Sequence, residues 1–393
     1  MANRPKTFDV IVAGAGPAGI ATALSAARDG MKTLLIEREN TIGGIVMAGY
    51  HAALCGLYAS DPTDPADTLN PGIPRETACC VSENSKNASG VQQVGRARVL
   101  PLERAALLRC WEGMLAAELE IELRYETTLI GVKCADNCVE TIQLSDGSEL
   151  RPGVLIDATG NAEVAGLAGV PRLADPPENR QLGGAGIYFG GLTADRNRLR
   201  LDVPYHLREA TEDGRLPHCA RFTTFAPCAE PDRGICKLAV PVEFFGQNQK
   251  VKTYINDVLE LLRKDLQVLA EAEVLATSPR ALPRDGPRLR GQTILTEEDV
   301  LAGKTFKGHN AKGAWPIEFW HQEEGPQYEY LPDNEYYEIP AACLRAERLH
   351  NLICAGRCIS ATARAAASLR VAGICLATGQ LAAVTACELL TEM

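Results

Sequence analysis

Apolar residues fall in short blocks near the two ends of the chain. Phe8-Asp-Val-Ile-Val-Ala13 is a β-branched apolar run, the pattern of a strand buried on both faces of a parallel sheet. An Ala-rich stretch over 20–28 reads as a helix that Gly30 stops. Lys32-Thr-Leu-Leu-Ile36 is a second buried strand ending in Glu37, so the chain opens with one β-α-β unit. Residues 42–95, rich in Gly, Pro, Ser and Asp, predict a long irregular excursion. An amphipathic helix is predicted over 101–118. Alternation over 121–150, with a Ser-Asp-Gly turn at 145–147, predicts strands. Val154-Leu-Ile-Asp-Ala-Thr-Gly160 is another apolar strand ending in a turn.

Residues 171–280 change character. They predict short strands at 186–191, 219–225 and 235–242 and one strong helix over 251–275. Residues 281–340 are rich in Pro, Arg and aromatics and read mostly as loop. A strand over 352–357 and a small-residue helix over 371–390 close the chain. That helix is apolar, but Arg370 and Glu388 bracket it more closely than a span of about 20 apolar residues requires. A buried helix is expected, with no membrane span. The fold class is α/β. A Rossmann-like domain with a parallel sheet is built from 1–170 and 281–393, and a β-rich substrate domain, 171–280, is inserted into it.

Composition narrows the function. With 393 residues, 46% of them hydrophobic, the chain is long enough for a sizeable core. Its net charge of −10 lacks the general attraction to phosphate backbones that nucleic-acid binders use, so no nucleic-acid partner is expected. None of the 14 cysteines is spaced C-x-x-C, which argues against a zinc ribbon or a thioredoxin-like dithiol. No apolar leader precedes the first strand, so a cytoplasmic chain with thiols filling core gaps is expected.

Gly14-Ala-Gly16-Pro-Ala-Gly19 lies between a predicted strand and helix, and Glu37 ends the next strand eighteen residues after Gly19. In that context the glycines point to dinucleotide binding. Gly14 permits the tight turn, Gly16 lets backbone approach a pyrophosphate, and Gly19 lets helix and strand pack closely. The helix N-terminus offers free N–H groups and partial positive charge, and Glu37 is placed to accept from ribose hydroxyls. The unit alone does not separate NAD from FAD.

Glu37-Arg38, Gly43-Gly44, Ile156-Asp-Ala-Thr-Gly160 and Ala355-Gly-Arg357 together resemble the FAD-binding pattern of glutathione-reductase-type flavoproteins. Three C-terminal segments are similar to FAD-dependent oxidoreductases related to fumarate reductase and succinate dehydrogenase flavoproteins. They are Cys354-Ala-Gly-Arg-Cys-Ile-Ser-Ala-Thr362, Ser368-Leu-Arg-Val371 and Ala377-Thr-Gly-Gln380, and residues 287–296 and 315–317 share the likeness. The resemblance implies FAD as cofactor. It implies that Gly14, Gly16, Gly19, Glu37, Arg38 and Gly44 serve the ADP half, that Leu129 pairs its backbone with adenine, and that Gly160 closes against the cofactor. Gly356 and Arg357 would lie by the ribityl chain and pyrophosphate. The helix around Gly373 would aim its N-terminus at the flavin's pyrimidine edge.

The resemblance also has gaps. Only Cys55 follows the Gly-Gly, so no redox cysteine pair is present there, and Gly184-Ala-Gly-Ile-Tyr-Phe189 has no helix after it. No built-in nicotinamide domain is expected, and the electron donor or acceptor is left open. His51 reads as a loop histidine, with a flavin tether or a proton-transfer group as its functional readings, and Arg370 as a flavin or substrate-anion contact or a helix-to-loop salt bridge. The stretch 309–337, with Trp315, Trp320, Tyr328, Tyr337, His321 and Glu318, is expected to wall a substrate pocket, with Tyr337 as an acid or base. Arg280, Arg284, Arg288 and Arg290 read as a solvated loop, a carboxylate site being the other reading. Adjacent Cys79-Cys80 and the pairs Cys134/Cys138 and Cys354/Cys358 read as buried thiols. The expected activity is hydride transfer between a small organic molecule and flavin N5. An NAD(P)H-dependent flavin monooxygenase and a non-catalytic flavin-fold binding protein stay open, as does assembly into a homo-oligomer.

Overall fold

The opening apolar run has strand neighbours on both sides. In the computed structural model, which describes residues 6–59, 64, 66–87, 90–193, 196–332 and 335–392, β1 (Lys6–Ala13) pairs in parallel with β2 (Thr33–Ile36) and with the strand Glu149–Asp157. Val10, Ile11 and Val12 are fully buried, which is why the run shows no alternation. Beyond β2 lies Ile121–Arg124, also parallel. Glu149–Asp157 takes two further neighbours. The antiparallel strand Cys138–Leu144 pairs with its start, and the parallel strand Leu352–Cys354 pairs with its end. One sheet therefore joins both ends of the chain. The carboxyl ends of its parallel strands share one edge, where α/β sheets bind ligands.

Two helices lie together on this sheet. α1 (Pro17–Arg28) packs along the C-terminal helix Ala372–Glu392, with Gly379 against the Ala18 backbone. The Thr22 hydroxyl donates to the Gly379 carbonyl at 2.9 Å. The C-terminal helix is long and apolar enough to cross a membrane, yet 72% of its most apolar window is buried inside the protein.

A second core forms around an antiparallel sheet of Thr224–Pro227, Gly234–Val240, Gly183–Gly190 and Glu273–Thr277, in that order. One face packs on the helices Leu199–Glu212 and Asn248–Asp265 through Val203, Leu207, Val251, Ile255 and Val258. The other face turns toward the first body, where Tyr188 and Ile235 meet Tyr50 and Ala52.

Several elements differ from expectation. The predicted helix over 251–275 breaks at Leu266, whose backbone is extended, leaving Asn248–Asp265 and Gln267–Glu271. Ile73–Asn84 lies inside the supposed irregular excursion. Its Pro74 sits in the first turn, the one place where a helix accepts proline freely. Leu199–Glu212 also forms, despite Pro204 within it. The stretch 281–340 contains two antiparallel pairs, the hairpin Ile317–His321 with Gly325–Glu329 and, flanking it in sequence, Asn310–Gly313 with Tyr337–Pro340. Cys80 and Cys110 are not thiols. The helices Ile73–Asn84 and Arg104–Ala116 bring their Cα atoms to 6.1 Å, within disulfide range, and the two are bonded.

Candidate active site

The glycine turn divides its labour. Gly14 adopts φ +101°, and a Cβ there would lie 2.7 Å from the Ala158 carbonyl oxygen. A Cβ on Gly19 would overlap the Gly14 carbonyl. Both are glycines because backbone packs on backbone. Gly16 is the reverse case, since its missing Cβ faces nothing within 4 Å. It caps α1, where no side chain satisfies the first N–H groups. Beside it, α2 (Gly44–Ala48) begins at Gly44, whose Cβ position is 3.1 Å from the Gly16 Cα. Glu37 is 6% exposed; its Oε2 accepts from the Ala15 N–H at 2.8 Å and its Oε1 from the Glu39 N–H at 3.0 Å. The carboxylate is thereby fixed one residue from the open glycine. An uncapped helix start, a clear backbone approach and an anchored carboxylate fit the phosphates and ribose of a dinucleotide.

A second group of polar side chains gathers where the two bodies meet. The segment after α2 is tightly folded, with Tyr50 at φ +50° and a Cβ on Gly49 lying 3.0 Å from the His51 ring. Burial, then the charges of Lys237, Arg370, Arg284 and Arg104, push the His51 pKa down to about 3. The imidazole is therefore neutral at pH 7. Burial pushes Cys55 up to about 12, so it stays a thiol. Glu318 accepts from both indoles, Trp315 Nε1 at 3.0 Å and Trp320 Nε1 at 2.8 Å. Burial alone would raise its pKa, but Arg370, the indole N–H groups and Arg284 hold it below the usual carboxylate range.

Arg370 donates to the Glu318 carbonyl at 3.1 Å and lies 3.8 Å from its carboxylate, while its Nε is buried with no acceptor. Arg284 donates to the Leu182 and Gly183 carbonyls and stacks over the Trp320 ring at 3.7 Å. Burial lowers its pKa to about 9. Arg104 stacks over Tyr50 at 4.5 Å, and Tyr50 stacks on Tyr188, tying the two bodies together.

The model of one family, "FAD dependent oxidoreductase", matches residues 9–392. The chain belongs to that family. It is also 57% identical over 42 residues to a digeranylgeranylglycerophospholipid reductase of Picrophilus torridus; the match covers 11% of each protein. Among solved structures, GidA of Aquifex aeolicus aligns over 98% of this chain and 64% of its own, with TM-score 0.56 and 12% identity. A geranylgeranyl bacteriochlorophyll reductase-like protein of Thermoplasma acidophilum aligns over 98% and 82%, with TM-score 0.51 and 13% identity. These likenesses show the fold, and the family makes FAD the cofactor and the chain an oxidoreductase.

In this FAD-dependent oxidoreductase the remaining expected residues fall in different places. Gly14, Gly16, Gly19, Glu37 and Gly44 meet at one edge, and Gly356 joins them. It adopts φ +74°, its N–H donates to Thr378 Oγ1 at 3.2 Å, and its Cβ position is 2.8 Å from Ala18 Cβ. Arg38 is half-exposed, 3.6 Å from Glu39 and 3.8 Å from Glu163. Leu129 is buried and pairs with Leu144. The backbone that meets Glu37 is slightly earlier, with Glu37 N donating to the Arg124 carbonyl and Thr127 N to the Glu37 carbonyl. Gly160 adopts φ +79° beside the Arg357 guanidinium. Arg357 spends its terminal nitrogens on Asn161 Oδ1, the Pro283 carbonyl and the Asp285 carbonyl, at 2.7, 2.8 and 2.8 Å. Gly373 lets the C-terminal helix close on the Gly56–Leu57 backbone.

Tyr337 reaches the polar cluster only through Ser368, whose hydroxyl donates to the Trp315 carbonyl. It is fully buried, and its hydroxyl shares a hydrogen with Ser368 at 2.7 Å. The arginine loop is not a solvated face throughout. Arg288 is buried with both terminal nitrogens on Asp175, and Arg284 enters the cluster, while Arg280 pairs with Glu39 near the surface. Lys237 and Arg104 carried no sequence signal. Lys237 sits in an apolar strand, and only its place beside His51 in the fold marks it.

Proposed function

We propose that the chain transfers a hydride between a small organic substrate and N5 of FAD, in the space where His51, Arg370 and Glu318 converge. The observation that carries this reading is the open backbone of Gly16 at the uncapped start of α1, beside the fixed Glu37 carboxylate. It supports a cofactor laid along the sheet edge toward the junction of the two bodies. Bound there, FAD supplies a two-electron acceptor.

The protein's own groups do the rest. The α1 N-terminus and Gly16 hold phosphate, and Glu37 holds ribose hydroxyls. The start of Ala372–Glu392 would stabilise negative charge that FAD takes up when bound. The Tyr50–Tyr188 stack and the Trp315 and Trp320 indoles exclude water. His51, neutral, is a hydrogen-bond partner for substrate or ring rather than a strong base. Its neutral imidazole also suits a covalent tether.

Purified protein should bind FAD and show its visible band, and a cognate substrate should bleach that band without oxygen. Glu37→Ala should reduce FAD uptake at least tenfold, with Glu37→Gln intermediate. Wild-type protein that takes up no FAD overturns the reading. Bleaching that requires NAD(P)H, with turnover consuming dioxygen, moves it to oxygenation. Retention of flavin after denaturation would identify a tether.

A further inference from the structure

The cations around His51 outnumber the carboxylates that face them. On the strand Gly234–Val240, Cys236, Leu238 and Val240 point into the second core, while Ile235 and Ala239 pack on the opposite face against Tyr188 and Trp320 neighbourhoods. Lys237 falls between these two on that opposite face, turned toward His51. Its partners across the ladder are Thr224 on one side and, on the other, Gly186, which has no side chain to cover it. Gly184, two residues before, clears room for Arg284, whose guanidinium lies 3.7 Å from the Cβ position. Arg370 approaches from the other body.

The compensating charge is small. Glu318 lies 3.8 Å from Arg370 and already accepts from two indoles. Asp285 is occupied by Arg180 at 3.1 Å and by the Gln181 N–H at 2.6 Å. Lys237 has no hydrogen bond or ion pair among the described residues, and the Arg370 Nε is buried without an acceptor. Among the described residues, Lys237, Arg284 and Arg370 thus share the single carboxylate of Glu318, while the fourth cation, Arg104, lies over the Tyr50 ring with Glu230 nearby. Unpaired charge in such a place is costly to the fold, and an incoming anion would relieve it.

We infer that the substrate carries a carboxylate, held by Lys237 and Arg284 with Arg370 beside them. The inference rests on the reading of this space as the place of hydride exchange and names the class of molecule it admits. A guanidinium offers a fork that matches a carboxylate, and an ammonium adds a point charge. Together they fix one end of an organic acid, leaving an adjacent C–H to face the flavin. The Trp320 ring under Arg284 keeps the guanidinium in plane.

The test uses FAD-saturated protein titrated with benzoate and succinate, with benzamide and succinamide as neutral counterparts, read by calorimetry and by perturbation of the flavin band. At least one carboxylate should bind and its amide should not. Lys237→Gln and Arg284→Gln should each weaken that binding at least tenfold at unchanged FAD content, and Lys237→Arg should restore most of it. Amides binding as well as acids, inorganic phosphate binding as tightly as the acids, or Lys237→Gln retaining wild-type affinity would each overturn the inference. Should FAD uptake itself fail, the same titrations on unloaded protein still read the cationic site, so the two readings fail separately.

Discussion

His51 shows how one half-buried side chain couples the site to pH. Its ordinary pKa of 6.5 falls to about 3 in the fold, through burial and four neighbouring cations. Between those values the unfolded chain binds a proton that the folded chain refuses. Stability therefore rises with pH across that window, is complete above about 6.5, and is lost as pH falls toward 3. Replacing His51 by Gln removes the titration. The melting temperature of His51→Gln should fall less steeply than that of the wild type between about pH 7 and pH 5, measured by differential scanning fluorimetry. Identical slopes would show that the ring is solvated.

At the scale of elements, the contact between α1 and the C-terminal helix sets the position of the Gly16 cradle. Gly379 lies on the Ala18 backbone, and a Cβ there would overlap the Ala18 carbonyl. Gly→Ala in a helix interior ordinarily stabilises by about 1 kcal/mol. Here overpacking reverses the sign, and Gly379→Ala should destabilise by about 3 kcal/mol. Urea denaturation checks this, and a gain in stability would mean that the helices are not in backbone contact. The same crowding explains why Thr22 donates to the Gly379 carbonyl, since only a close crossing brings the two within 2.9 Å.

For the whole molecule, the decisive contacts are those joining the two bodies. Arg357, at the end of Leu352–Cys354, binds the carbonyls of Pro283 and Asp285 and the Asn161 side chain, and so pins the crossing from the second body back to the first. Arg357→Ala leaves these three acceptors without their partner and should cost about 3 kcal/mol. Saturating FAD should raise the wild-type melting temperature, because the cofactor binds only the folded state. Arg357→Ala should lower both the melting temperature and the shift that FAD produces, since the clasp lies beside Gly160 and Gly356. A thermal scan with and without FAD reads both, and an unchanged shift would confine Arg357 to structure alone.

The cofactor half of the protein was legible in residues because its chemistry is local. A strand, three glycines, a helix and an acid within one β-α-β unit must fold together, so Gly14, Gly16, Gly19 and Glu37 reveal their geometry by spacing alone. The C-terminal motif was legible through its resemblance to known flavoproteins, for its turns are closed by distant segments, the Ala355 N–H on the Asp157 carbonyl and the Ser360 N–H on the Cys343 carbonyl. The polar cluster was not. Lys237 comes from the antiparallel sheet of the second core, Arg284, Glu318 and Arg370 from the stretch that follows it, and His51 from the first loop, so no short window of sequence contains any two of them. Tyr337 and Arg357 show the same limit, for their partners, Ser368, Asn161 and the Pro283 and Asp285 carbonyls, come from other segments. Burial and charge environment depend on what lies across a gap in space, and only the packed chain decides which polar side chains face that gap and which are spent on the fold.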